Sequence, residues 1–544
     1  MIRAILVAGF LIVGAAAHAA EAPPVLTGHV TSAAEGEMEG VLVTAQRPDS
    51  TISVTVVSNA EGIYRFPAGR LSPGTWFLSI RAVGYAIDGA VSGKIATGET
   101  ADVDIALVPA HDLAAQLTNT EWLMSIPGTD PQKKTLLECM SCHTLERIVR
   151  STHNADEFVS VLTRMMNYAN NSTTLHPQKR LVQRQPKPEL MRRAADYLAT
   201  INLSTGSTWT YKLQTLPRPK GAATHAIVTS YALPRPTIAP HDVRVDKAGL
   251  IWFSEFGDQK LGMLDPRTGK VTEYPYPTRK RGSPTGALDL ETDANGHYWL
   301  ATMFQAGLAE FDPKTKKFKM WPMPKSLDND TTQQSMVMPA GSRIDGKVWS
   351  NMVAQQSVIR LDLKTGVVET IDPFRNMPTG HDHAPYGMTV DAANNLYFMD
   401  FGDENIGRID AQTGIATIYP TPTRGSRPRR GMMDDQGRLW FAEFAANQLG
   451  LFDIKSESFR EFALPTPWTA PYDASIDKDG MLWSGGMNSD RVQRIDPATG
   501  AAVEYLLPAP TNIRRILIDN TTAVPSFWAG NNHHAVIYKL EIVP

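Results

Sequence analysis

An aromatic residue recurs in the same strand-like context throughout the second half of the chain, every 43 to 50 residues. Each of the first six repeats carries a second marker after the aromatic residue. It is an Asp that begins a short turn, as in the turn from Asp265 to Gly269. A period of this length with glycine and aromatic markers is typical of β-propeller blades. Seven markers predict an all-β, seven-bladed propeller over residues 222–544. The aromatic markers are Trp252, Trp299, Trp349, Tyr397, Trp440, Trp483 and Trp528.

The last repeat ends one strand short of a full blade, and the chain supplies a spare strand elsewhere. Residues 226–233 have a strand-like pattern but precede the first repeat. A ring of blades closes when a terminal strand completes the last blade, so this strand is predicted to join the final repeat at residues 538–542. A solenoid, the alternative repeat architecture, needs no such exchange of strands.

Two further segments precede the propeller in this chain of 544 residues. Residues 24–109 alternate apolar and polar positions between Gly and Pro turns, which predicts a small β-sandwich of about seven strands. Residues 110–204 instead repeat apolar residues at helical spacing over 136–152, 155–170 and 188–201, which predicts an all-α domain. The expected fold class is therefore multidomain: a β-sandwich, an all-α domain and an all-β propeller.

The first of these segments resembles the carboxypeptidase regulatory-like domain. The resemblance rests on Gly28-His-Val, Gly40-Val-Leu-Val, Gly62-Ile-Tyr-Arg-Phe and Ala82-Val-Gly-Tyr. Members of that family are mostly structural or adhesive modules. No chemistry is therefore assigned to residues 24–109.

Residues 1–20 have the pattern of a secretory signal. Arg3 is followed by an apolar run of about 14 residues and then by small residues at Ala17 and Ala19, typical of a cleavage site. The run is shorter than the ~20 residues that a spanning helix needs. The mature protein is therefore expected to be periplasmic or secreted, with no membrane span. Its 53 Lys and Arg residues against 56 Asp and Glu residues argue against nucleic-acid binding.

The chain has only two cysteines, Cys139 and Cys142, and His143 follows them directly. C-x-x-C-H is the attachment signal of c-type haem: two thiols form thioethers, and the adjacent histidine binds the iron. A thioredoxin-like pair, a zinc site and a surface disulfide are the alternatives. The helical context, the export signal and the lack of further cysteines favour haem c.

The residues after this signal resemble a cytochrome pattern in which an acidic and an aromatic residue open a helix that ends in Arg-Met. Glu157, Phe158, Arg164 and Met165 match that pattern. The resemblance implies that residues 110–204 form a cytochrome c-like domain with His143 and Met165 as iron ligands. Core packing is the alternative role of any one helical Met. The other candidate sixth ligands are Met166, Met191, His153 and His176.

The propeller repeats resemble the virginiamycin B (streptogramin B) lyase family. The match lies at Pro240-His-Asp-Val, Ile251-Trp-Phe-Ser-Glu and Leu439-Trp-Phe-Ala-Glu. Members are seven-bladed propellers that open a macrolactone by elimination with the help of Mg²⁺. The resemblance implies that His241 and Glu255 carry the chemistry, as base and carboxylate or as metal ligands. The third family position is Asp258 instead of His, which weakens the lyase assignment but leaves an oxygen ligand for Mg²⁺.

The fourteen residues from His241 to Glu255 span one innermost strand, a turn and the end of the next strand. Both ends are therefore expected to face one mouth of the propeller. The same position in the other repeats gives further residues that are expected to face the channel. These are Leu288, Met338, Tyr386, Arg429, Tyr472 and Arg514.

Other charged clusters lie near the predicted strand ends. His381, His383, His533 and His534 are interpreted either as solvent-exposed loop residues or as metal ligands. The basic runs 279–281 and 424–430 are interpreted as solvated, with an anionic substrate or a redox partner as the alternative.

Three functions are compatible with these motifs. In the first, the propeller binds or oxidises a small molecule, and the haem c passes the electrons to a redox partner protein. In the second, the propeller is a lyase that uses Mg²⁺ and has an accessory cytochrome. In the third, the propeller only binds its ligand and the haem transfers electrons. The haem attachment signal is the most specific motif in the chain, and it favours the first function, in which electrons pass from the propeller to the haem.

Overall fold

The computed structural model describes residues 25–185 and 187–543, so the predicted secretory signal at residues 1–20 lies outside the described residues. Within this part of the chain, a β-sandwich and a propeller share a sheet, and a segment of short helices shares an apolar core with the propeller. None of the described helices is long and apolar enough to cross a membrane.

The N-terminal segment is a β-sandwich, as predicted, although its described residues form more strands than expected. Its strands are β1 (Leu26–Ser32), β2 (Gly36–Glu37), β3 (Leu42–Gln46), β4 (Ile52–Val57), β5 (Ile63–Phe66), β6 (Gly74–Arg81), β7 (Tyr85–Ile87), β8 (Val91–Ile95), β9 (Ala101–Asp102) and β10 (Ile105–Pro109). One sheet contains β3, β4, β6 and β8, and the other contains the remaining strands. The side chains of Leu26, Val30, Val43, Tyr64 and Ile105 are fully buried between them.

Residues 110–204 contain short helices separated by irregular segments. The helices are α1 (Asn119–Ser125), α2 (Asp130–Lys134), α3 (Glu146–Val149), α4 (Ala155–Met165) and α5 (Pro188–Ile201). The start of α4 is fixed by a capping box, in which Asn154 and Glu157 each bind the other's backbone N–H.

The predicted all-α cytochrome c-like domain is wrong. The structure is nearly all β: helices make up 11% of it, and the described residues contain only six short α-helices. Apolar residues of α1, α4 and α5 belong to a cluster that continues into the propeller, where it includes Phe256, Phe304 and Tyr472. Helical periodicity showed that the helices bury one face, and α4 and α5 pack on each other within this shared cluster.

The propeller prediction is confirmed, with seven four-stranded antiparallel blades among the described residues. Blade 1 contains β12 (Pro240–Val245), β13 (Ile251–Glu255), β14 (Lys260–Asp265) and β15 (Lys270–Pro275). Blade 2 contains β16 (Leu290–Thr292), β17 (Tyr298–Ala301), β18 (Gly307–Asp312) and β19 (Lys317–Pro322). Blade 3 contains β20 (Val337–Met338), β21 (Lys347–Met352), β22 (Ser357–Asp362) and β23 (Val368–Ile371). The short helix α6 (Ser342–Asp345) lies between β20 and β21.

Blade 4 contains β24 (Pro385–Val390), β25 (Leu396–Asp400), β26 (Asn405–Ile409) and β27 (Ala416–Pro420). Blade 5 contains β28 (Pro428–Met433), β29 (Arg438–Glu443), β30 (Gln448–Asp453) and β31 (Ser458–Ala463). Blade 6 contains β32 (Pro471–Ile476), β33 (Leu482–Gly486), β34 (Arg491–Ile495) and β35 (Ala502–Leu506). Blade 7 contains β36 (Ile513–Asp519), β37 (Ser526–Asn531), β38 (Val536–Ile542) and the preceding strand β11 (Ala226–Ala232).

The recurring aromatic residue lies in the second strand of each blade and is buried there. In four blades its indole Nε1 donates to an Asp six residues earlier, as Trp252 donates to Asp246 at 2.9 Å. The other carboxylate oxygen of Asp246 accepts the backbone N–H groups of Ala248 and Leu250 in the intervening turn. One Asp therefore fixes both the turn and the indole. This explains why the turn and the aromatic residue after it recur together in these blades.

The spare strand β11 closes the ring, as predicted. It pairs antiparallel with β38 along its whole length, from Ala226 to Ala232. Its other edge pairs with the sandwich strand β4, with Val228 opposite Thr55. Blade 7 and one sandwich sheet therefore form a continuous eight-stranded sheet, which leaves neither β11 nor β4 as an exposed edge strand.

Residues 110–204, called the cap from here on, lie across one mouth of the propeller. Arg514 donates to the carbonyl oxygen of Ser141 at 2.7 Å. The Gln178 side chain donates to the carbonyl oxygens of Gly257 and Thr285 at 3.1 and 3.0 Å. These bonds and the shared apolar cluster hold the cap against the mouth.

Candidate functional site

Side chains from five blades meet at the capped mouth of the channel. They are His241, Tyr386, Arg429, Tyr472 and Arg514, from blades 1, 4, 5, 6 and 7. The ring centroid of Tyr472 lies 5.6 Å from that of His241 and 6.2 Å from that of Tyr386. The Arg429 guanidinium lies 4.0 Å from the same Tyr472 ring. The prediction that these positions face a common channel is confirmed for this group.

His241 belongs to a hydrogen-bonded chain. Its Nδ1 lies 2.6 Å from Asp242 Oδ1, and its Nε2 lies 3.2 Å from the Tyr472 hydroxyl, which also bonds the Tyr386 hydroxyl. Burial, followed by the charge of Arg514, holds the pKa of His241 well below its usual value. The imidazole is therefore neutral, with its Nδ1–H donated to Asp242 and its Nε2 lone pair facing Tyr472.

A second layer of charges lies one residue further along the innermost strands. Arg430 is 2% exposed and donates to both oxygens of Asp242 at 3.1 Å and to Asp289 at 2.5 Å. Arg515 lies 3.3 Å from Asp473. Because these charges pair with one another across blades, this layer is structural: it ties the innermost strands together.

Arg429 and Arg514 differ from that layer because neither forms an ion pair with any Asp or Glu in the described part of the chain. They are only 7% and 3% exposed. Arg429 Nε has no hydrogen-bond partner, and its Nη1 reaches only the sulfur of Met487 at 3.5 Å. Arg514 donates to the Asn512 side chain and to the Ser141 carbonyl. Two buried cations without a counter-charge create a positive potential at the mouth.

Glu255 and Asp258, the other expected site residues, are clamped by Arg235. The guanidinium lies 2.9 Å from Glu255 Oε2 and 2.7 Å from Asp258 Oδ2, and it also contacts Glu273. Burial and the neighbouring Glu273 raise the pKa of Glu255 above its usual value. An arginine therefore fills the place that a cation would take, so the predicted propeller Mg²⁺ does not fit these residues.

His176 of the cap approaches the same acidic pair. Its Nδ1 lies 3.7 Å from Asp258 Oδ1. In the family resemblance, a histidine is expected at the position that Asp258 occupies. A different segment of this chain therefore supplies a histidine beside that position, and His176 has this place instead of the predicted role as an iron ligand.

The residues expected to hold haem do not form a suitable site. Burial raises the pKa of both thiols, that of Cys139 to about 12, so both are protonated. The His143 Nδ1 lies 2.9 Å from the Thr144 carbonyl oxygen. Met165, the expected sixth ligand, ends α4 and is 36% exposed.

The cavity beside Cys142 and His143 is also small. Its volume is about 170 Å³, whereas ligand and cofactor pockets usually measure roughly 300 to 1,000 Å³. Because the described residues form no cytochrome domain and this cavity is too small, covalent haem c does not fit. Neither Arg429 nor Arg514 lines this cavity, although Arg514 binds the carbonyl of Ser141, the residue before Cys142.

Several site residues were not found from the sequence. Asp242, Arg430 and Asp473 each follow a channel residue by one position, so the same repeat spacing moved by one residue would have identified them. Arg235 lies in the connection between β11 and β12, outside the repeats, where no spacing argument applies. The interpretation of the basic run 424–430 as solvated is wrong for Arg429 and Arg430, which are buried.

The fold and the site define a closed seven-bladed β-propeller with a capped, positively charged mouth and an N-terminal β-sandwich. Residues 221–473 match the Virginiamycin B lyase family, and residues 25–108 match the carboxypeptidase regulatory-like domain. The propeller match covers less than half of the chain. No curated protein matches the sequence in the corresponding comparison.

Solved structures with a similar fold include several lyases. Selenomethionine-substituted virginiamycin B lyase from Staphylococcus aureus is 20% identical, with a TM-score of 0.50 over 58% of this chain and 100% of that chain. A streptogramin B lyase is 22% identical, with a TM-score of 0.50 over 59% and 99%. A catalytically inactive His-to-Ala variant of the S. aureus enzyme, with quinupristin, is 19% identical with the same TM-score over 58% and 100%. At these identities, the likeness shows the propeller fold alone.

Proposed function

We propose that this chain is an exported propeller protein that binds a small anionic molecule at its capped mouth. The observation that carries the proposal is the pair Arg429 and Arg514, which are both buried at this mouth and form no ion pair with a carboxylate in the described part of the chain. Burial lowers the pKa of Arg514, and the nearby positive charge of Arg429 adds to this effect. A bound carboxylate or phosphate would supply the missing negative charge.

The cap limits the size of the ligand. It covers the mouth, where Arg514 donates to the Ser141 carbonyl, and the cavity of about 170 Å³ beside Cys142, His143 and His533 is lined by neither arginine. A small organic acid or an inorganic anion needs less space beneath the cap than a macrocycle does. The aromatic faces of Tyr386 and Tyr472 next to the guanidinium of Arg429 would add apolar contacts to such a ligand.

A thermal-shift screen of the full chain against small carboxylates and phosphate tests this proposal. We expect at least one anion to raise the melting temperature of the wild type, and Arg429→Met to abolish the shift. Arg424→Met is the matched control, because Arg424 belongs to the same basic run but is exposed. If no anion stabilises the wild type, or if both variants respond equally, the arginine pair is not the binding site.

A second candidate function is a lyase of the virginiamycin B type, and the chain Asp242–His241–Tyr472 favours it. A neutral imidazole oriented by a carboxylate is suited to act as a general base. In such an elimination, the base takes a proton from the carbon beside the one that bears the ester oxygen. The C–H electron pair forms a C=C bond, and the ester leaves as a carboxylate. His241 is fully buried, so this reaction requires the cap to move off the mouth.

Incubation with quinupristin, followed by chromatography and mass spectrometry, tests the lyase. Elimination opens the ring without a change of mass, whereas hydrolysis adds the mass of one water. We expect a linear product of unchanged mass from the wild type and none from His241→Gln, with circular dichroism to confirm that the variant folds. An intact macrocycle after prolonged incubation with folded wild type excludes this activity for the substrate class.

The division of the chain into residues 24–109, 110–204 and 222–544 is part of the same proposal, with the first segment as a structural module. The secretory pattern of residues 1–20 supports export to the periplasm or the medium. Fractionation of expressing cells, with N-terminal sequencing of the exported product, tests this placement.

A further inference from the structure

A cluster of two histidines and two aspartates lies in blade 4, outside the arginine site. His383 Nδ1 is 2.7 Å from Asp400 Oδ2, and His381 Nδ1 is 3.1 Å from Asp403 Oδ2. One donor atom from each of His383, Asp400 and Asp403 lies within 4.8 Å of the other two. Ligands bound about 2.1 Å from one metal ion lie roughly 3 to 4.2 Å apart, so these atoms are close to that spacing.

The corresponding position in blade 1 also holds two acidic residues, and a positive charge lies beside them. Asp400 and Asp403 correspond to Glu255 and Asp258, since Asp400 and Glu255 each lie opposite the proline that opens the first strand of their blade. In blade 1, Arg235 neutralises the pair. In blade 4, no Lys or Arg of the described chain forms an ion pair with either aspartate, and the two histidines take that place.

The geometry around His383 is that of a preformed ligand. Its side chain is 5% exposed, and its ring stacks on Phe374 with centroids 4.0 Å apart. Its Nε2 is buried without a hydrogen-bond partner. Unpartnered buried nitrogens are uncommon because their desolvation is not compensated. This imidazole therefore has an unused donor site beside two carboxylates.

The two loops that carry the cluster are held rigidly together. Asp400 accepts the backbone N–H of Ala384 at 2.8 Å and the Asn405 amide at 3.0 Å. Gly402 packs so closely on the other loop that a Cβ there would collide with the carbonyl oxygen of Asp382. Such second contacts orient metal ligands before the ion arrives.

We propose that His383, Asp400 and Asp403, with the more exposed His381 as a fourth ligand, bind a divalent transition-metal ion of the zinc class. Imidazole and carboxylate together suit Zn²⁺, Co²⁺ or Ni²⁺, whereas Mg²⁺ and Ca²⁺ prefer oxygen ligands alone. His383 Nε2 is the nitrogen available to the ion, so the hydrogen bond between His383 Nδ1 and Asp400 is retained. The site is independent of the function proposed for the arginine pair.

A second group of this kind, in blade 2, serves as a control. Asp293, His297 and Glu310 also lie within 4.8 Å of one another. However, Asp293 accepts the Trp299 indole N–H and Glu310 accepts the Trp321 indole N–H. Asp400 also has such contacts, but His297 is 29% exposed and has no buried unpartnered nitrogen like that of His383, so no metal is proposed in blade 2.

Titration of metal-depleted full-length protein with Co²⁺, followed by visible absorption and elemental analysis, tests the site. We expect one Co²⁺ per chain with d–d absorption of nitrogen and oxygen ligation, displaced by Zn²⁺. His383→Ala should abolish binding, and His381→Ala, at a position more than half exposed, should weaken it by about tenfold or more. His297→Ala should bind like the wild type.

Three results would overturn the proposal. One is the absence of Co²⁺ binding by folded wild type. Another is equal binding by folded His383→Ala and wild type. The third is a sulfur-to-cobalt charge-transfer band that disappears in Cys139→Ser/Cys142→Ser, which would place the ion at the cysteine pair.

Discussion

Replacement of Glu443 by Gln gives a quantitative test of how the propeller mouth treats a buried acid. Glu443 ends β29 opposite Pro428, the blade 5 counterpart of the Glu255 position. One carboxyl oxygen is buried without a partner, and the other accepts a hydrogen bond from Gln448. Burial raises the pKa of Glu443 to about 8. The group is therefore protonated at neutral pH, and Gln reproduces its shape and neutrality.

The magnitude of the effect follows from this pKa. A carboxyl whose folded-state pKa exceeds its unfolded value stabilises the fold at low pH, and that contribution is lost as the pH rises towards the folded pKa. With an unfolded value of 4.5 and a folded value of about 8, the loss between about pH 6 and pH 9 is about 2.5 kcal/mol. Since the amide does not titrate, Glu443→Gln gains this amount relative to wild type over the same interval.

Urea unfolding at both pH values, followed by tryptophan fluorescence, measures the difference. Asp435→Asn is the matched control, because it removes an exposed carboxylate from the same blade and should follow the wild type. If the free energies of unfolding of Glu443→Gln and wild type keep a constant difference from low to high pH, Glu443 is not held neutral by burial.

Three further predictions concern the contacts that hold the parts together. Arg430→Met leaves Asp242 and Asp289 buried without their counter-charge and should destabilise the propeller by about 3 to 5 kcal/mol in urea unfolding, with partial recovery when Asp289→Asn is added. Gln178→Ala removes the hydrogen bonds of this side chain to Gly257 and Thr285 of the propeller and should increase the rate of limited proteolysis within the cap, with an unchanged rate as the contrary result. Thr229→Pro removes a backbone N–H that faces β38 and should lower the melting temperature by several degrees, whereas an unchanged melting temperature would show that this strand does not close the ring.

The propeller was predictable because its information is repeated. The aromatic positions from Trp252 to Trp528 mark one strand of every blade, and a shortage of one strand at the end identifies β11 as the closing strand. The channel residues followed from the same regularity, since one spacing measured at His241 applies to the other blades.

The contacts between segments could not be predicted in this way. Helical periodicity showed that Phe158 and Leu198 are buried, but not that they pack in a cluster with propeller residues such as Phe256. The pairing of β4 with β11 joins two edge strands, and no local pattern specifies which edges meet. Arg429 lies in a basic run typical of exposed loops, and only its place in β28 shows that it is buried.

Anomalous diffraction from crystals soaked in selenate locates the anion that the propeller mouth binds. Selenate is a small divalent anion, and selenium marks its position without reference to any assumed ligand. We expect an anomalous peak between the guanidinium groups of Arg429 and Arg514 at the capped mouth, absent in Arg429→Met. Peaks confined to exposed arginines such as Arg424, with none at the mouth, would contradict it.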